Sequence, residues 1–160
     1  MTVPPNIAII SGGQTGADRA ALDFAIAHGL THGGWCPRGR RAEDCSIAPQ
    51  YLLRETPSTH YSQRTQWNVR DSDATVVFSI KPRLAGGTRL TFELARRLGK
   101  PVLQLSRDES DVATAGQLLR AFVVDQEVRT LNVAGPRASQ RPEIGAYVLE
   151  VLATAFGTTS

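Results

Sequence analysis

A chain of 160 residues, 41% hydrophobic and 21% charged, is long enough to bury a sizeable core and reads as one globular domain over 1–160, with 1–5 and 157–160 expected to fray. No apolar run is long enough to span a bilayer and Met-Thr-Val-Pro-Pro is no export signal, so a membrane partner is excluded and the expected location is cytoplasmic. The net charge of +3, with a pI near 9.2, suits a small anionic ligand, and the chain lacks the basic–aromatic interleaving of a single-strand binder, so nucleic acid is not the expected partner.

The first informative stretch is Ile7-Ala8-Ile9-Ile10, an apolar β-branched run that reads as a buried strand. Ser11-Gly12-Gly13-Gln14-Thr15-Gly16 follows as a glycine-rich turn. A helical pattern then opens at Ala17 and runs through Ala20, Ala21, Phe24 and Ala25, with Leu22 and Ile26 widening its face, to end near His28-Gly29. A strand, a glycine-rich turn and a helix N-terminus make an anion cradle, because the first helical N–H groups lack intrahelical partners and the helix dipole is positive there. Gly12, Gly13 and Gly16 let the backbone come close to a ligand, and Gln14 and Thr15 add side-chain donors. The spacing matches neither a dinucleotide fingerprint nor a Walker A loop, so no NAD is expected.

Gly33-Gly34-Trp35-Cys36 reads as a short second strand closed by Pro37. Arg38-Gly39-Arg40-Arg41-Ala42-Glu43-Asp44 is the densest charge cluster, and the forks of Arg38 and Arg40 suit phosphate or carboxylate. Tyr51-Leu52-Leu53 fits an edge strand. His60 to Ser72 reads as a helix on which Arg64, Trp67, Asn68 and Asp71 share one face. There Arg64 and Asn68 can hydrogen-bond a ligand while Trp67 offers a stacking plane, or the stripe is simply exposed with Trp67 as a packing anchor.

Ala74 to Phe78 is a strong buried strand. Gly86-Gly87-Thr88 then opens a helix through Leu90, Leu94 and Leu98, with Thr88 and Thr91 placing hydroxyls on its first turn, and Gly99-Lys100-Pro101 stops it. Val102 to Leu105 is a strand, Asp111 to Val123 a helix, and Thr130 to Val133 the last strand. Its turn, with Gly135 and Arg137, leads to a final helix over 142–155, with Ser139 as the expected N-cap. Ile144, Tyr147, Val148, Val151 and Leu152 form that helix's apolar face. Cys36 and Cys45 make neither a disulfide framework nor a zinc set, and His28, His32 and His60 share no metal spacing, so no metal site is expected. No Ser-His-Asp or Cys-His set is legible, so no catalytic residue is assigned.

Alternation of strand and helix along the whole chain implies an α/β fold: Rossmann-like, doubly wound, with a mainly parallel sheet and helices on both faces. The special turns then gather at one sheet edge. Five motifs carry a resemblance to a known family: Ser11–Ala20, Gly34–Arg40, Trp67–Asp73, Gly86-Gly87-Thr88 with Thr91, and Asn132–Arg137. Together they resemble the molybdenum carrier family, part of a wider Rossmann-like group with the LOG-type (lysine-decarboxylase-like) phosphoribohydrolases and the DNA-processing protein DprA. The resemblance implies a cytoplasmic homo-oligomer, a dimer or tetramer, that carries molybdenum cofactor, a pterin bearing a phosphate and a metal oxo group, on an aromatic plane such as Trp35 or Trp67.

The alternative is a LOG-like hydrolase that cleaves the N-glycoside of a nucleoside monophosphate. Aligning Gly87-Thr88 on that group's Gly-Thr places Thr91 where its catalytic glutamate belongs, with Glu93 turned about 200° away on the helix. A hydroxyl does not replace a carboxylate there, unless Glu43, Asp44 or Asp18 substitutes. The reading is therefore a binding or carrier protein for a phosphate-bearing ligand. Gly12, Gly13, Gln14, Thr15, Gly16, Gly86, Gly87, Thr88 and Thr91 would hold oxyanions, Arg38, Arg40 and Arg64 would neutralise charge, and Trp67 and Asn68 would orient the ligand.

Overall fold

The computed structural model describes residues 6–157, so the fraying expected of 1–5 and 158–160 lies outside the described residues. In chain order the elements are β1 (Ala8–Ile10), α1 (Ala17–Ala27), β2 (His32–Gly33), β3 (Trp35–Cys36), β4 (Arg41–Ala42), β5 (Cys45–Ser46) and β6 (Arg54–Glu55). There follow α2 (Tyr61–Arg70), β7 (Ala74–Ser79), α3 (Gly86–Arg97), β8 (Val102–Ser106), α4 (Val112–Asp125), β9 (Thr130–Ala134) and α5 (Ile144–Phe156).

The main sheet is five-stranded and wholly parallel, in the order β2-β1-β9-β7-β8. Counted from β9 as though the chain began there, the strands run β9, β1, β2, β7, β8, and their spatial order becomes 3-2-1-4-5. That is the doubly wound dinucleotide-fold order, entered at a different point of the chain. Its topological switch, where a ligand crevice forms, lies between β9 and β7. This is the Rossmann-like α/β architecture expected from the alternation of elements.

Strand residues alternate between the two faces of the sheet. Ile7, Ile9, Val76, Phe78, Leu131 and Val133 join the apolar sides of α1, α4 and α5 in one hydrocarbon core. The alternate set includes Thr75 and Asn132, buried and hydrogen-bonded to each other at 3.2 Å, on the side of α2 and α3. One face of the sheet is therefore oily and the other partly polar. Local signals behave as their chemistry dictates: the Asp111 carboxylate caps α4 by accepting from the Thr114 N–H at 2.8 Å, and Gly29 takes φ +66° just beyond α1.

Several local expectations are corrected. The second strand is two strands, because Gly34 turns the chain at φ +127° and a methyl there would strike the Ser11 backbone. β2 stays in the main sheet, while β3 leaves it to pair with β6. Tyr51 to Leu53 forms no strand; the extended segment is Arg54–Glu55. Glu143, not Ser139, stands at the N-cap of α5, and beyond its last residue Gly157 donates its N–H to the Ala153 carbonyl at 2.8 Å. Among the described residues no helix is long and apolar enough to cross a membrane.

Candidate functional site

Three strand-to-helix corners do meet. A cavity of about 180 Å³ opens at the carboxyl ends of β1, β7 and β9, at the switch point. Gly12, Gln14 and Asp18 reach it from the first corner, Gly86, Gly87, Thr88 and Thr91 from the second, and Asn132 to Arg137 from the third. Helix α2 supplies Tyr61, Arg64 and Asn68. A second hollow of about 370 Å³ shares Gly86, Thr88, Pro136 and Gln140 with the first.

The first corner holds an oxyanion of its own. The Asp18 carboxylate accepts from the Gln14 N–H at 3.3 Å and from Arg64 Nη1 at 2.9 Å. The neighbouring amides are also spent: Gly13 N–H on the Ser11 hydroxyl, Thr15 N–H on Gln14 Oε1, and Ala17 N–H on the Pro136 carbonyl. Burial pushes the Asp18 carboxyl above its ordinary range, and the facing Arg64 guanidinium pulls it back. Glu43 bolts this corner to the third one, accepting from the Thr15 hydroxyl and from the Ser139 hydroxyl and N–H. Those donors hold the Glu43 carboxyl below the usual carboxylate range.

The second corner is open. No side chain caps α3, and its N-cap residue is Ala85. A methyl built on Gly86 or Gly87 meets nothing within 4 Å, so the first-turn backbone faces free space. Gly86, at φ +55°, sits in the left-handed region, which glycine enters without strain. Thr88 is buried in the lining, whereas the Thr91 hydroxyl donates to the Gly87 carbonyl at 2.8 Å and has only lone pairs left to offer. Glu93 pairs with Arg89 at 2.9 Å on the exposed face of α3, away from the cavity. Of Asp18, Glu43 and Asp44, only Asp18 lines it.

Two residues of the lining each carry a buried donor without a partner among the described residues: Gln14 Nε2 and Arg64 Nε. Gln14 is 6% exposed. Its Oε1 accepts from the Thr15 and Glu43 N–H groups at 3.1 and 2.8 Å, which fixes the carbonyl end and turns the NH₂ end the other way. A buried donor without an acceptor costs about 1–3 kcal/mol. Cations gather here too: the guanidinium carbons of Arg41, Arg64 and Arg137 lie 5.0, 5.2 and 5.7 Å from the Tyr61 ring centroid.

Not every residue expected at the site reaches it. Gly13 and Gly16, at φ +77° and +82°, shape the first turn but do not line the cavity, and Thr15 is turned to Glu43. Arg38 is exposed outside it. Arg40 donates to the carbonyls of Ile47, Ala48, Tyr51 and Leu53, so its fork organises a loop. Trp67 packs edge-on to Trp35 at 4.7 Å, with Arg70 over Trp67 and Arg54 over Trp35, and neither indole lines the cavity. Asn68 reaches the lining, but its amide is bound at both ends to the Trp35 backbone, at 2.8 and 3.0 Å. Cys36 is buried away from the cavity and burial pushes its thiol up.

The aromatic plane in the cavity is Tyr61, which sequence reasoning missed. Its signal was present: Tyr61 lies three residues before Arg64 and so shares its helix face.

A model of the circularly permutated YpsA SLOG family matches residues 9–156. No curated protein matches the chain. The fold is similar to a crystal structure named "Putative molybdenum carrier protein" from Syntrophus aciditrophicus SB, at 44% sequence identity and a TM-score of 0.93 over 97% of each chain.

Proposed function

The chain belongs to the circularly permutated YpsA SLOG family, and we propose that it binds and carries a phosphate-bearing anionic small molecule, with molybdenum cofactor the leading ligand. One observation carries this reading: Gln14 and Arg64, which line the cavity, each hold a buried donor, Nε2 and Nε, that has no acceptor among the described residues. A phosphate oxygen, or an oxo group on a metal, seated beside these two side chains supplies the acceptor each lacks once the side chain rotates slightly toward it.

The first-turn amides of Gly86, Gly87 and Thr88 complete the cradle, with the dipole of α3 favouring negative charge. Arg64 and Arg137 outnumber Asp18, the one carboxylate in the lining, so the cavity favours an anion. The Tyr61 ring gathers the guanidinium groups of Arg64 and Arg137 at the cavity. Asn68 acts at one remove, holding the Trp35 backbone so that α2 keeps its place beside the first corner. Gly12 leaves room for Arg64: a methyl there would overlap the guanidinium. Among the described residues no group of three His, Cys, Asp or Glu stands ready to hold a metal ion, so the cargo would be gripped through its oxygens. The name of the 44% identical relative supports the ligand class.

Native mass spectrometry of the protein, purified gently from its own host, tests the reading. A phosphorylated pterin mass is the expected result; a nucleotide mass would overturn the molybdenum cofactor assignment. Gln14→Glu keeps an acceptor for the Thr15 and Glu43 N–H groups and removes the donor, so it should weaken phosphate binding by about tenfold or more. Phosphate affinity equal to the wild type would remove this cavity from the account.

A further inference from the structure

The second hollow is not absorbed by the reading above. It adjoins the first across the N-terminus of α3, since Gly86, Thr88, Pro136 and Gln140 line both. Its remaining polar lining includes Lys81, Arg83 and Arg141 and contains no carboxylate. None of these three cations belongs to an ion pair among the described residues. The loop bearing Lys81 and Arg83 is pinned at its backbone: the Ser79 hydroxyl donates to the Lys81 carbonyl at 2.7 Å, and the Gln104 amide donates to the Pro82 carbonyl at 2.5 Å. The two cations therefore start from a held backbone rather than a free strap.

We propose that the cleft is bipartite and takes a ligand with two linked anionic groups, of the diphosphate class, one in each hollow. The first group sits against Gln14 and Arg64, lining residues that each keep a buried donor without an acceptor among the described residues. The second sits against Lys81 and Arg83. The first turn of α3 lies between them, and its open amides serve both. The two hollows share that turn, so the linked groups must be close neighbours, as the phosphorus centres of a diphosphate are. Three cations without a facing acid would otherwise repel one another. This inference rests on the carrier reading and narrows it: among phosphate-bearing ligands the cleft favours a diphosphate ester, so a pterin cargo would be held best in a form whose phosphate is extended to a diphosphate.

Calorimetric titration of the intact protein with inorganic phosphate and with inorganic pyrophosphate tests it, using wild type and the double variant Lys81→Ala, Arg83→Ala. Both side chains belong to exposed residues, so the variant should fold. The wild type should prefer pyrophosphate by about tenfold or more, given charge-assisted hydrogen bonds in the second hollow. In the variant that preference should fall toward parity. Equal affinities in the wild type, or a preference that survives the double substitution, overturn the second subsite and leave the first standing. Absence of binding by either anion overturns the carrier reading as well.

Discussion

Replacing Gly12 by alanine should unseat Arg64. Gly12 lies outside the left-handed region, so alanine is not strained there by its backbone. Its methyl would overlap the guanidinium, with Arg64 Cζ at 2.7 Å and Cδ at 2.8 Å. A long side chain can swing away from such a clash, so the cost is not the overlap but the lost partner. Arg64 and Asp18 are paired at 2.9 Å, with side chains 12% and 7% exposed. Breaking such a pair while its carboxylate stays buried costs about 3–5 kcal/mol. At this chain length that corresponds to a melting temperature lower by about 10 °C.

The loss should also depend on pH. Burial raises the folded-state pKa of Asp18 above its ordinary 3.8, so in that window the folded protein holds more protons than the unfolded one and stability falls as pH rises. Without Arg64 the window widens upward, and the deficit of Gly12→Ala grows by up to about 1.4 kcal/mol per pH unit across it. Thermal denaturation at pH 5 and pH 8 reads this directly. Adding Asp18→Asn removes the buried charge, so Gly12→Ala should cost at least about 2 kcal/mol less in that background. A melting point within about 2 °C of the wild type, or a deficit equal at both pH values, would refute the reasoning.

Other consequences are open to similar measurement. Glu43→Gln should lower stability above pH 4.5, the ordinary glutamate value, and the difference should vanish as pH falls through the depressed folded-state pKa, as urea melts across pH 3–7 would show. Arg40→Met should cost about 2–4 kcal/mol by freeing four carbonyls, and limited proteolysis should then cut within 47–53 first. Gly135→Ala should cost about 1–3 kcal/mol in chemical denaturation, because its methyl would stand 2.6 Å from Ala17 Cβ and 3.0 Å from the Phe78 carbonyl oxygen; unchanged stability would mean that the third corner is looser than drawn.

Most of the fold was legible because its signals are short-range. The periodicity of Ala17 to Ala25, the buried run at Ala74 to Phe78 and the stop at Gly99-Lys100-Pro101 each act within a few residues, and parallel pairing gathers every strand-to-helix turn at one edge. The meeting of Gly12, Gln14, Gly86 and Thr88 follows from that alternation. Strand order did not follow, because β9 inserts between β1 and β7 through contacts more than fifty residues apart in sequence.

What a donor does was also undecided by its type. Arg40 and Arg64 look alike on paper, yet one spends its fork on four loop carbonyls while the other lines the cavity, paired with Asp18 and with its Nε left without an acceptor among the described residues. The amides after β1 are satisfied by Asp18, Ser11 and Pro136, and those opening α3 are not capped by any side chain. Amino-acid sequence determined where the helices begin and which corners converge, since those depend on neighbours along the chain. Tertiary structure decided which hydrogen-bonding groups remain unpaired, since pairing depends on partners that only folding brings within about 3 Å.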